Sequence, residues 1–223
     1  MTWFLANLPA IGDLLLAHLA QAVPSIAATL LLAILLARVA QYLRPLRSVL
    51  VAGASLFYAI PSLALFVVLP IILGTGIRDP LNVVVALTLY GLALLLPATV
   101  SALEAVDPRI VDAATAMGMG SARRFITVEL PLAGPAIVAG LRVVTVSTIS
   151  LTTVGAVLGV SSLGRLFTDG FQRGLVAEIA TGMVTTVLLA LLLDGLVVAT
   201  GWLALPWTRR RRGAADVAGE ERS

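Results

Sequence analysis

Five apolar stretches, each long enough to cross a bilayer as a helix, dominate this chain and leave few folds open to it. A membrane-crossing helix needs about 20 apolar residues, and in hydrocarbon every backbone polar group must be satisfied inside the structure. Spans are expected at about residues 24–40, 48–73, 81–103, 131–158 and 179–205. The stretch at 5–19 is also apolar, but Asp13 and His18 interrupt it. A helix on the outer surface is expected there, with a sixth membrane element as the alternative. No basic residue precedes Arg38, so this stretch does not read as a secretory signal. Only 12% of residues are charged, about half the share usual in soluble domains. The fold class expected is an all-α polytopic membrane protein with about five transmembrane helices.

Arginine placement gives the orientation. Numbering the loops alternately, one set carries Arg38, Arg44, Arg47, Arg109, Arg123, Arg124, Arg209, Arg210, Arg211, Arg212 and Arg222, and the other carries Arg78, Arg165 and Arg173. Basic residues concentrate on the cytoplasmic side, so the first set is expected inside, with the N-terminus outside and the C-terminus cytoplasmic. The expected division is an extracytoplasmic segment at 1–23, a membrane domain at 24–207 with a cytoplasmic loop at 106–131, and a basic cytoplasmic tail at 208–223. A pI of 10.2 does not point to nucleic acid, because these arginines flank apolar spans rather than line a soluble face.

Several chemistries are excluded by what the sequence lacks. It has no Cys and one His, so thiolate chemistry and multi-His metal sites are out. Every basic residue is Arg; without Lys the chain holds neither a phosphate-binding G-x-x-x-x-G-K-[ST] loop nor a Schiff-base centre. No catalytic residue, cofactor or metal is expected.

The loop Asp107–Pro131 reads DPRIVDAATAMGMGSARRFITVELP. Asp107 is placed to cap a helix that begins with Pro108. Ile110, Ala113, Ala114 and Met117 then fall on one face, with Asp112 on the polar side. Gly118 and Gly120 are expected to end this helix in a turn of positive φ. Ser121 is expected to cap a second short helix ending before Pro131. Periodicity alone fits an amphipathic connector equally well.

This segment resembles the EAA loop of ATP-binding-cassette importer permeases, whose pattern is E-A-A-x3-G-x9-I-x-L-P. Asp112-Ala113-Ala114, Gly118, Val128 and Leu130-Pro131 keep its spacing, with Asp for Glu and Val for Ile. Tyr58-Ala59-Ile60-Pro61-Ser62-Leu63-Ala64-Leu65, Glu129-Leu130-Pro131-Leu132-Ala133 and Ser162-Leu163-Gly164 are similar to segments of osmoprotectant permeases, which import glycine betaine, carnitine or choline. Methionine, phosphonate and nitrate permeases share the loop and stand as alternatives. An ion-coupled secondary transporter is a further rival, which the lack of a repeat and the kept loop spacing oppose.

The resemblance implies a type I importer permease (MetI-like) fold in a bacterial plasma membrane, with the loop forming coupling helices. It implies ATPase subunits that hydrolyse ATP, an extracytoplasmic solute-binding protein and a second permease chain. At 223 residues the binding protein is expected to be a separate chain.

Within the spans, Pro61, Pro70 and Pro97 each remove a backbone donor and are expected to kink their helices. Pro61 and Ser62 are candidate pathway residues. Thr145, Thr148 and Thr152 share one face of the fourth span and either line the pathway or bond neighbouring helices. Arg142 and Asp194 fall within spans, as a structural pair or a substrate site. His18 is expected on the outer surface without chemistry. Aromatic faces hold quaternary ammonium groups, but 5% aromatics leave little for a cage, so tight recognition is expected in the binding protein.

Overall fold

A computed structural model describes residues 2–207, and all of its regular elements are helical. In chain order they are α1 (Thr2–Ala6), α2 (Leu8–Tyr42), α3 (Arg44–Phe57), α4 (Ser62–Leu73), α5 (Pro80–Glu104), α6 (Pro108–Ala116), α7 (Ser121–Arg124), a π-turn (Phe125–Glu129), α8 (Leu130–Thr152), a 3₁₀ turn (Thr153–Leu158), α9 (Arg165–Arg173) and α10 (Val176–Ala204). The tail expected at 208–223 lies outside the described residues.

Among the described residues, four helical stretches are long and apolar enough to cross a membrane: α2, α5, the run Ser121–Leu158 and α10. The broken pair α3–α4 makes up to a fifth. Helix α5 is the centre, packed against α2, α3, α4 and α8. Its contact with α2 is built from small residues: Ala22, Ser25, Thr29, Ala33, Ala37 and Ala40 form the buried face of α2. Small side chains let membrane helices approach closely, where dispersion contacts and hydroxyl–carbonyl bonds replace the missing hydrophobic drive. Ser25 Oγ donates to the Val84 carbonyl at 3.2 Å, and Thr29 Oγ1 donates to the Thr88 carbonyl at 3.3 Å. Gly91 sits at the tightest point, where an added Cβ would lie 2.4 Å from Thr29 Oγ1.

Three expectations change. The boundary expected at residue 23/24 falls inside α2, whose 35 residues extend about 52 Å at 1.5 Å each. Pro24 does not end the helix; around it Ser25 Oγ donates to the Gln21 carbonyl at 2.7 Å, and Gln21 Nε2 donates to the Ala17 and Ser161 carbonyls, both at 2.8 Å. His18 is not on the surface. It is fully buried, while Asp13 on another face stays exposed. The second span is no single kinked helix: α3 and α4 meet at 110°. Pro61 precedes α4 without an N–H to offer, and the Tyr90 hydroxyl donates to the Ile60 carbonyl at 2.6 Å, fixing the break. Phe57 and Tyr58 pack edge-on against the same Tyr90 ring, at centroid distances of 6.0 and 6.1 Å. Pro70 and Pro97, by contrast, lie inside unbroken helices.

Candidate coupling site

The loop begins as its residue types dictate. Asp107 accepts a hydrogen bond from the Arg109 amide at 2.9 Å, Pro108 opens α6, and Gly118 ends the turn after it at φ 81°. Only a residue without Cβ adopts that φ without strain. Within α6, Ala114 is buried and packs the helix onto the protein, while Ile110, Ala113 and Met117 point outward. Ile110 is 44% exposed, Met117 70% and nearby Ile126 63%. Asp112 is exposed beside them. Ile110, Met117 and Ile126 thus give this loop an exposed apolar face.

The return limb differs from expectation. Gly120, not Ser121, takes the capping position, at φ −64° and ψ 156° rather than positive φ. The second helix does not stop before Pro131. It passes through the π-turn into α8, with the Leu130 amide donating to the Phe125 carbonyl five residues back. A π-turn widens the helix by one residue, and such a bulge accommodates a proline that cannot donate to the ordinary ladder. Val128, Leu130 and Pro131 are half-buried in this limb.

Ser121 is instead recruited to a network that sequence reasoning missed. Arg38 Nη2 donates to Ser121 Oγ at 2.8 Å and to the Tyr42 hydroxyl at 2.9 Å, and the Tyr42 and Ser121 hydroxyls bond each other. Arg38 Nη1 donates to Glu129 Oε2 at 3.2 Å, while Arg124 Nε donates to Glu129 Oε1 at 2.9 Å. Arg124 Nη1 reaches back to Thr115 Oγ1 of α6 at 2.7 Å. The Arg38 guanidinium also stacks over Phe125, 4.4 Å from its centroid, and Phe125 is embedded with Ala37, Leu103 and Ile137 in the adjoining core. Thus the 5%-exposed Glu129 is held between two guanidiniums and ties α2, α6 and α8 together. Its place in the ELP segment was the available signal; its partner Arg38, 91 residues away, had none. A more exposed Arg47–Glu104 pair, with Arg47 Nη2 donating to Glu104 Oε2 at 2.7 Å, joins α3 to α5 nearby.

At mid-span, Arg142 of α8 and Asp194 of α10 meet side-on. Nε donates to Oδ1 and Nη2 to Oδ2, both at 2.8 Å. They edge a hollow of about 560 Å³ with Tyr58, Leu94, Val146 and Ser147. Thr145, Thr148 and Thr152 occupy the opposite face of α8 by the 100° step per residue. All three are buried in the chain's own bundle, and Thr145 and Thr152 bond carbonyls one turn back. Pro61 is exposed at the helix break and Ser62, half-buried, starts α4.

Comparison with known proteins agrees with this architecture. Among solved structures, the inward-facing MetNI methionine ABC transporter matches at a TM-score of 0.69 with 22% identity, covering 88% of this chain and 94% of that one. An amino acid ABC transporter structure matches at 0.68 with 17% identity, covering 90% and 96%. Both share the fold. In sequence, the osmoprotectant import permease protein OsmW of Salmonella typhimurium is 34% identical over 148 residues, 65% of this chain and 68% of that protein. The glycine betaine/carnitine/choline permease protein OpuCD of Bacillus subtilis is 31% identical over 75% of this chain and 72% of its own length. The ergothioneine transport permease/binding protein EgtU of Helicobacter pylori is 31% identical over 68% of this chain, which spans only 27% of that longer protein. Residues 15–205 match the family described as binding-protein-dependent transport system inner membrane component, and the chain belongs to that family.

Proposed function

We propose that this chain is the membrane-crossing subunit of an ATP-driven importer for a compact solute bearing a trimethylammonium group, such as glycine betaine, carnitine or choline. The observation that carries the coupling half of this reading is α6: an exposed apolar face whose base is clamped to the membrane helices through buried Glu129. Such a surface suits a soluble partner that delivers force, and an ATPase subunit is the partner of that kind in the family. The substrate half rests on the relatives, whose named solutes ergothioneine, glycine betaine, carnitine and choline all carry that group.

In this reading the α6 end is cytoplasmic, the N-terminus is outside, and a solute-binding protein delivers to the outer end. ATP is hydrolysed by the partner rather than by this chain. The Arg142–Asp194 face supports a second permease chain: ionisable groups at membrane depth are expensive unless they face protein or a water-filled path, and Arg142's side chain is 49% exposed. The transport pathway is assigned to this hollow, with Tyr58 and the Pro61–Ser62 break at its edge. The buried Thr145, Thr148 and Thr152 would join it only through helix rearrangement.

The test is uptake of labelled glycine betaine, choline and carnitine in matched cells with the chain, without it, and with Gly118→Asp. Loss of uptake in both altered strains, with the variant still in the membrane, supports the reading. Unchanged uptake of all three in the deletion strain, with no redundant importer, defeats the substrate assignment. Normal uptake by Gly118→Asp defeats the coupling role of the loop.

A further inference from the structure

At the end of the molecule opposite α6, a pocket of about 510 Å³ opens between α1, the start of α2, α9 and the start of α10. Its chemistry is carried by Trp3, Asp13, Arg165, Asp169, Arg173 and Glu178. Three carboxylates against two guanidiniums leave a formal balance of −1. The arginines are peripheral: Arg165 lies 3.5 Å from Asp169 with its side chain 49% exposed, and Arg173 lies 3.9 Å from both Asp169 and Glu178 with its side chain 61% exposed. Glu178 is the reverse. Its side chain is 5% exposed, it lines the pocket, and its Oε2 has no hydrogen-bond partner.

A buried carboxylate oxygen without a hydrogen bond is costly. Arg173 forms only a loose ion pair with it, at 3.9 Å, and no hydrogen bond, so this oxygen is open to a cation that needs none. A quaternary ammonium group is such a cation: it carries no N–H, spreads its charge over methyl groups and favours an aromatic side chain, and Trp3 lines the pocket. A hard divalent ion would need six or more converging oxygens, and among the described residues no group of three acidic or His side chains converges in that way. The volume lies within the range of small-molecule sites, about 300–1,000 Å³. We propose that this outer pocket is a binding station for a compact quaternary ammonium group, with Glu178 as its counter-ion, Trp3 as its aromatic wall and Arg173 as the cation it displaces. The station would hold solute at the mouth of the permease. It rests on the orientation and the solute class proposed above.

The test is calorimetric titration of tetramethylammonium chloride into the full chain in lipid nanodiscs, with sodium chloride holding ionic strength constant. Saturable binding is expected for the unaltered protein. Glu178→Gln, which keeps shape and removes charge, should weaken it about tenfold or more. Trp3→Leu should weaken it to a lesser degree. Arg173→Gln should tighten it, because the competing cation is gone; a purely structural role for this corner predicts no tightening. Absence of saturable binding in the unaltered protein overturns the proposal, as does unaltered affinity in Glu178→Gln or Trp3→Leu, or weakening in Arg173→Gln. Solute uptake in cells is read separately. Uptake that depends on the chain, together with no tetramethylammonium binding, removes the station and leaves the importer standing. Binding at Glu178 without uptake of any trimethylammonium solute does the reverse.

Discussion

Glu129 and Glu178 are buried to nearly the same degree, 5% and 4% exposed, at opposite ends of the molecule. Around Glu129 both oxygens accept guanidinium hydrogen bonds, from Arg38 and Arg124. Around Glu178 the nearest guanidinium stops at 3.9 Å and one oxygen accepts nothing. Burial alone therefore says little about what a charge does. A saturated carboxylate locks the elements around it, and α6 needs such a lock if a push on its face is to reach the membrane. An unsaturated one holds its surroundings less firmly and leaves room for a mobile counter-ion.

The largest effect that would break this contrast is at the saturated end. Glu129→Gln leaves two guanidiniums facing a neutral amide, and losing one partner from a buried ion pair typically costs about 3–5 kcal/mol. Thermal unfolding in detergent should show a clear drop, accompanied by uncoupling of ATPase activity from transport; an unchanged transition would mean that the network carries no load. Next comes Gly118→Ala, which forces a Cβ into φ 81° and should cost about 1–2 kcal/mol, read as the same transition shifting by less. The smallest change is expected from Glu178→Gln, which removes the under-bonded charge and should leave the unfolding transition in place or raise it. A fall as large as that of Glu129→Gln would erase the distinction between the two ends.

Much of this was legible in the sequence, for identifiable reasons. Helices α5 and α10 run within three residues of their expected bounds, because a long apolar stretch between polar ends has one solution in a bilayer. Asp107, Pro108 and Gly118 announced α6, since capping and positive φ are local requirements. What depends on distant partners was hidden. Pro61 marked a bend, but its 110° angle also involves the Tyr90 hydroxyl, which bonds the carbonyl of Ile60 30 residues before it. His18 looked polar enough for the surface and lies inside, because the face of α2 that carries it continues the small-residue seam. The Thr145–Thr148–Thr152 stripe has helical periodicity, but periodicity cannot say whether a face looks toward a pathway or toward the chain's own core. That Arg38, 91 residues away, joins Arg124 on Glu129 is a matter of tertiary geometry alone.

The uninterrupted passage from the π-turn into α8 has a mechanical consequence. From Ser121 to Leu158 the chain runs through α7, the π-turn, α8 and the 3₁₀ turn as one helical stretch of 38 residues. Arg142 stands 21 residues along it, about 32 Å from its Ser121 end at 1.5 Å per residue. A tilt of about 5° pivoting at that end would carry Arg142 sideways by about 3 Å relative to Asp194 on α10, roughly the length of the hydrogen bonds that join them. With α10 held in place, a tilt of that size would be enough to part the two side chains.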